Sequence, residues 1–348
     1  MGSCSPPGGK IFIQQALLNI CNAGDSIIAV SQIYGGTVNL FGTTFKKLGI
    51  ECIWVDNDAD EATITAAFKP NTKAVFGEML ANTALTVMDI EKFAKVAHAH
   101  GVPLIVDNTF PTPILCRPFD FGADIVVHST TKYMDGHAVQ VGGVIVDSGN
   151  FDWTNGKYPE FTEPDESYHG TVYTKDYRNA PYIIKARMQL MRDFGVYPSA
   201  HSAFLLNLGL ETMPLRMKQY CANGLAVAEY LATNSKVENI KYPGLKGDKY
   251  YDLAQKYLKG AAGIITLNVR GGREAGIRFM DGLKLATREI TVADIRTCVL
   301  HLASTTHRQL TEEQLEKCGL NPGMVRFSVG LEDIDDIIAD IEQSLMGV

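Results

Sequence analysis

Between residues 27 and 146, short apolar runs alternate with amphipathic segments, and this rhythm restricts the fold more than any single motif. Residues 27–30, 52–55, 74–76, 102–106, 125–127 and 142–146 read as strands. Residues 37–48, 61–68 and 89–100 read as helices between them; the last puts Ile90, Phe93, Ala94 and Ala97 on one face and stops at Gly101. Strands this apolar leave no face for water. Separated by helices, they are expected in a mostly parallel sheet covered on both sides, an α/β architecture.

The rhythm lapses over residues 149–182, where Asp152 to Pro159 reads as a loop with turn residues and exposed aromatics. Helical character returns at 203–210. Pro214 is expected to end that helix and open another running to about Leu231. With 348 residues, room exists for two units. The boundary is expected here, giving a large unit 1–213 and a smaller C-terminal α/β unit 214–348. The smaller unit carries a strand at 263–269, a helix at 273–282, a strand at 325–329 and a last helix at 333–345. That last helix aligns Ile334, Ile337, Ile338, Ile341 and Leu345.

Composition narrows the function classes. A net charge of −7 argues against nucleic acid or an anionic membrane as partner. No apolar run approaches the roughly 20 residues of a membrane span. The first nine residues lack a signal-peptide layout, and Pro6 breaks the myristoylation pattern. The seven cysteines (Cys4, Cys21, Cys52, Cys116, Cys221, Cys298 and Cys318) show no paired spacing. Reduced thiols and a cytoplasmic location are expected. The histidines show no metal spacing, since His98 and His100 point apart on one helix, and no metal is expected.

Two apolar runs end in polar residues. Leu104-Ile105-Val106 runs into Asp107-Asn108-Thr109, and Ile125-Val126-Val127 into His128-Ser129-Thr130-Thr131-Lys132-Tyr133. Pyridoxal 5′-phosphate (PLP) needs a lysine for its aldehyde, an anion for its ring nitrogen and donors for its phosphate. Lys132, Asp107, and the hydroxyls of Ser129 and Thr131 supply that set. Read alone, Lys132 is more often a loop lysine and Asp107 more often a turn cap. Tyr34, between a strand and a helix, offers a ring to stack on a flat cofactor and a hydroxyl for proton transfer. Gly8-Gly9-Lys10 precedes a helical run at 11–21, where backbone N–H groups suit a phosphate. Asn82 offers a donor to the ring hydroxyl. Arg326, on a strand, has the fork for a carboxylate or for a structural ion pair.

Taken together these residues resemble the Cys/Met-metabolism family of PLP enzymes, with the aspartate-aminotransferase-like fold (fold type I), and in particular its O-acetylhomoserine sulfhydrylase branch. The resemblance runs from about Gly8 to the C-terminus. It includes Ala23-Gly24-Asp25, Gln32-Ile33-Tyr34-Gly35-Gly36-Thr37, Val106 to Phe110 and Val127 to Tyr133. Further on it includes Tyr168-His169-Gly170, Ala303 to Leu310 and Val325 to Gly330. It implies a PLP-dependent transferase of methionine and cysteine biosynthesis. Acetate would leave Cγ of O-acetyl-L-homoserine, and sulfide or methanethiol would take its place. Lys132 would hold PLP and move protons, and Asp107 would hold the ring nitrogen. Tyr34 would stack, and Ser129, Thr131, Gly8, Gly9 and Lys10 would bind phosphate. Arg326, with Ser304, would bind the substrate α-carboxylate. Family members assemble as dimers or tetramers.

The chain also departs from the family pattern. Family members carry an N-terminal arm ahead of the position of Gly8, and this chain is read as lacking it. Asp135-Gly136-His137, Asn82-Thr83, Val292 to Arg296 and His301 to Ser304 differ from the usual residues, several of them expected in the pocket. These departures motivate two alternatives: a carbon or nitrogen nucleophile in secondary metabolism, or an inactive shortened paralogue.

Overall fold

The computed structural model describes residues 10–82, 84–301, 305, 321 and 323–348. Strands β1 (Ser26–Val30), β2 (Glu51–Val55), β3 (Thr72–Glu78), β4 (Leu104–Asp107), β5 (Ile125–Ser129) and β6 (Gly143–Asp147) form one sheet in the order β2-β1-β3-β4-β5-β6. The first five are parallel, and β6 runs antiparallel to β5. Every residue of β1, β4 and β5 is buried, as strands covered on both faces require.

The helix Ile90–Ala99 illustrates how the covering forms. It buries Ile90, Phe93, Ala94, Val96 and Ala97, and the Asp89 carboxylate caps its start by accepting from the Lys92 N–H. Gly101, at φ +66°, ends it. The helix Ile11–Leu18 packs on the far edge through Phe12, whose ring lies against Gly143 so closely that a Cβ there would collide with it. That contact fixes where Lys10 enters the molecule.

The order of the strands reverses between β1 and β3. The carboxyl edge of an open α/β sheet is a binding crevice at such a point. Here Tyr34 follows β1, Glu78 ends β3, Asp107 ends β4, and Ser129 ends β5 just ahead of Lys132.

A second sheet contains β7 (Val237–Lys241), β8 (Ile264–Val269), β9 (Thr287–Arg288), β10 (Cys298–His301) and β11 (Met324–Ser328), in the order β7-β8-β11-β10-β9. Its pairings are antiparallel except β9 with β10. It has its own core of Val227, Leu231, Leu267, Phe279, Phe327, Ile341 and others. The last helix, Ile334–Met346, buries Ile337, Ile341 and Leu345 there; Ile334 and Ile338 pack at the margin.

Three expectations need correction. Pro214 does not divide two helices: it lies inside one helix, Ala200–Thr233. The ring removes one N–H, but the buried Arg216 side chain bridges this stretch. Its guanidinium donates to Thr212 Oγ1 at 3.0 Å and to the carbonyls of Gly209, Tyr133 (2.8 Å) and Met134 (3.3 Å). Tertiary hydrogen bonds thus override the local break. Second, Trp153 and Tyr158 are buried, at 3% and 1% exposure. Trp153 stacks against both Phe161 and Tyr182, at 4.7 and 5.2 Å, and Tyr158 donates its hydroxyl to the Lys73 carbonyl at 2.7 Å. Turn residues marked a change of direction there, while the aromatic rings supplied a local core. Short helices, Pro159–Thr162 and Tyr173–Asp176 among them, complete the segment. Third, the helix expected from residue 37 begins two residues earlier, at Gly35–Asn39, and continues through a π-helical stretch, Leu40–Phe45.

Candidate active site

The carboxyl edge of the first sheet opens onto a cleft of about 150 Å³. Its walls include Lys10, Tyr34, Asn82, Asp107, Ser129, Thr131 and Lys132, together with Glu78, Thr109, Phe110 and Val141. Residues far apart in sequence meet because parallel strands deliver their C-terminal ends to one edge.

Lys132 sits in the turn that leaves β5. No described residue forms a hydrogen bond or ion pair with its amine. Burial first, and then the nearby Arg326 cation, push its pKa down to about 8, against a smaller opposing pull from Asp294. A lysine of this kind is neutral often enough to act as a nucleophile.

Asp107 is buried at the end of β4. Its Oδ1 accepts from the Thr109 N–H at 3.0 Å and from the Thr109 hydroxyl. Thr109 Oγ1 accepts in turn from the Ser129 N–H at 2.8 Å, tying the ends of β4 and β5 together. Asp107 Oδ2 has no described hydrogen-bond partner and remains for the cleft. Glu78 is paired with Asp107 across β3 and β4 and is also buried. Burial raises both carboxyls; Asp107 raises Glu78 further, while hydrogen bonds from Thr109 restrain Asp107.

Tyr34, 43% exposed, begins the helix Gly35–Asn39. Its ring folds back over Gly36, where a Cβ would strike it. Thr131 Oγ1 accepts from the Gly142 N–H at 3.1 Å, which fixes the hydroxyl at the rim of the turn. Lys10 is exposed and immediately precedes the helix Ile11–Leu18.

Arg326 is buried in the middle of β11, near enough to Lys132 for its cation to lower that amine's pKa. Its Nη1 donates to Asn82 Oδ1 at 3.2 Å, and its Nη2 to the carbonyls of Ile290 at 3.1 Å and Thr291 at 3.4 Å. Burial lowers its pKa to about 10. Gly8, Gly9 and Ser304 lie outside the described residues.

A donor set with a free amine, a free carboxylate oxygen, hydroxyls, a cation and an open aromatic face fits PLP. A family model described as Cys/Met metabolism PLP-dependent enzyme matches residues 4–346. The chain belongs to this PLP-dependent family. Its cofactor is therefore pyridoxal 5′-phosphate, and the mostly parallel sheet with a C-terminal α/β unit is the fold type I architecture. The chain is 45% identical to an O-acetyl-L-homoserine sulfhydrylase of Leptospira meyeri over 96% of its own length and 77% of that protein's. It is also 45% identical to a homocysteine synthase of Schizosaccharomyces pombe, over 97% and 79%. A Campylobacter jejuni structure named as an O-acetylhomoserine (thiol)-lyase, holding a pyridoxyl-lysine phosphate, superposes with a TM-score of 0.94 at 34% identity, covering 98% of this chain and 82% of that one.

Two site residues escape the sequence reading. Glu78 ends a strand as Asp107 does, so the signal was present, but nothing in its run separates it from a surface acid. Thr109 lies inside the Asp107 motif without a visible role until its hydroxyl is seen joining β4 to β5.

Of the described residues among the departures from the family pattern, Asn82 lines the cleft; Thr83 and residues 302–304 lie outside the described residues. Residues 135–137 and 292–296 do not form its wall. Their expected place in the pocket is corrected: Asp135 and Asp294 are buried and bind local backbone and Arg296 instead.

Proposed function

We propose that the chain catalyses γ-replacement on O-acetyl-L-homoserine. The Cγ–O bond breaks, acetate leaves, and sulfide or methanethiol forms the new Cγ–S bond. One observation carries the site assignment: a lysine amine with a lowered pKa, and with no partner among the described residues, shares a cleft with a buried acid on the adjoining strand. The relatives named as sulfhydrylases and homocysteine synthases support the choice of substrate and nucleophile.

Bound PLP supplies an electron sink for charge that develops on the amino acid. Lys132 holds the cofactor and carries the proton taken from Cα. Asp107, through Oδ2, keeps a proton on the ring nitrogen. Tyr34 covers the ring with its aromatic face. Ser129, Thr131 and Lys10, with Gly8 and Gly9, hold the phosphate. Asn82 serves the ring hydroxyl, and Arg326, with Ser304, pairs with the substrate α-carboxylate.

The same reading makes the chain a homo-oligomer, a dimer or tetramer. Phe194, Tyr197, Phe204, Leu208 and Leu215 are 46–74% exposed on one stretch of chain, and a second copy would cover them. Light scattering on the purified protein tests this. The division at 213/214 leaves the long helix shared: Met213, Met217 and Tyr220 pack in the first core, Val227 and Leu231 in the second. Free thiols at Cys21, Cys52, Cys116, Cys221 and Cys298 support a reducing, cytoplasmic setting.

The test feeds PLP-loaded protein with O-acetyl-L-homoserine and sulfide. Release of acetate with formation of homocysteine supports the reading. Products found only with amines or carbon acids overturn the sulfur assignment. Release of 2-oxobutanoate without a nucleophile makes the protein a γ-lyase, and no turnover with any of them makes it the inactive paralogue. Borohydride trapping and peptide mapping must place the cofactor on Lys132.

A further inference from the structure

We infer that Glu78 is a positioning residue that clamps the aromatic side of the cleft to its substrate-binding side, an inference that rests on the roles proposed for Tyr34, Asn82 and Arg326. Its two carboxylate oxygens accept from different walls. Oε1 takes the Tyr34 N–H at 2.7 Å, at the start of the helix Gly35–Asn39. Oε2 takes the Asn82 N–H at 3.0 Å. Asn82 Oδ1 accepts in turn from Arg326 Nη1 at 3.2 Å. One side chain at the end of β3 thus connects the tyrosine that covers the cofactor to the amide that orients the arginine, 244 residues further along the chain.

The residue type is informative. A carboxylate offers two acceptor oxygens and no donor, so it can receive two diverging N–H groups at once. Glutamine would turn an NH₂ toward one of them. Glu78 keeps its charge-bearing group buried beside Asp107, a costly arrangement for strand termination alone, which any apolar residue would serve. Glu78 also lines the cleft itself, so the clamp lies at the site.

The experiment uses the full chain loaded with PLP and compares Glu78→Gln with wild type. The expected result is a KM for O-acetyl-L-homoserine raised roughly tenfold or more, the scale of leaving one buried N–H without its acceptor. A smaller fall in kcat and a weaker visible circular dichroism of the cofactor should accompany it. Asn82→Ala should raise KM alone, and Glu78→Gln added to it should raise KM no further, because both act on Arg326 through one path. Asp340→Asn removes a carboxylate that holds three backbone N–H groups far from the cleft. It should lower the melting temperature and leave KM unchanged. A folded Glu78→Gln with wild-type KM and dichroism overturns the inference, as do KM effects that multiply in the double variant. Should Glu78→Gln fail to fold, Glu78→Asp keeps the charge and withdraws both oxygens by one methylene; wild-type KM there overturns the inference equally. If the wild type releases no acetate, the functional reading fails by itself, and the clamp is then judged by cofactor dichroism and PLP dissociation.

Discussion

The two sheets contribute to one site in opposite ways. The first sheet is parallel along β1, β3, β4 and β5, so all of their C-terminal ends meet on one edge. Cleft-lining residues gather at or just beyond the strand ends: Tyr34, Glu78, Asp107 and Lys132. The second sheet is mostly antiparallel, so its strand ends point alternately in both directions. Among its described residues, Arg326 reaches toward the cleft from the middle of β11 and donates to Asn82. A parallel sheet concentrates chemistry at an edge and an antiparallel sheet disperses it, so the second sheet serves mainly as a support.

If that contrast is right, changes at the first edge should abolish chemistry, and changes in the second core should cost stability alone. Lys132→Ala should lower kcat/KM by roughly four orders of magnitude, the upper end for a lost proton-transfer group, and remove borohydride labelling of that peptide. Asp107→Asn should cost roughly a hundredfold or more in kcat, as when a preorganised electrostatic partner is lost. Ile341→Ala, in the second core, should lower unfolding free energy by about 2–5 kcal/mol in denaturant titrations, with KM held near wild type. A large change in KM there would break the comparison.

Two smaller effects sharpen it by pH. The rate of PLP attachment to cofactor-free protein should rise with pH through about 8 and then level, because the neutral Lys132 amine is the reactive form. Stopped-flow absorbance reads this directly. His98, outside both the cleft and the second core, donates its Nε2–H to Asp124 Oδ2 at 2.7 Å, and that hydrogen bond raises its pKa. A raised folded pKa contributes stability that is full below the unfolded value of about 6.5 and is lost as pH rises through the folded value. The half-exposed pair makes this a small slope in melting temperature against pH, which His98→Gln should flatten.

Asp107 and Lys132 were legible in the sequence because apolar runs ending in polar residues mark the carboxyl edge of a parallel sheet through local pattern alone. The strands of the first sheet were legible for the same reason, to within a few residues, whereas β7, β9 and β10 of the second sheet were not. The burial of Trp153 and Tyr158 was not, because turn residues report chain direction and say nothing of what the aromatic rings pack against. The unbroken helix through Pro214 was not, because the bonds from Arg216 come from tertiary contact.

By itself the sequence determined the α/β class, the parallel edge and the identity of an amine and an acid at that edge. These follow from local periodicity and from where apolar runs stop. The tertiary structure decided which side chains share the cleft, that Glu78 bridges Tyr34 and Asn82, and that Arg326 donates to Asn82. Those relations depend on strand order and on contacts between residues hundreds apart, which no local pattern encodes.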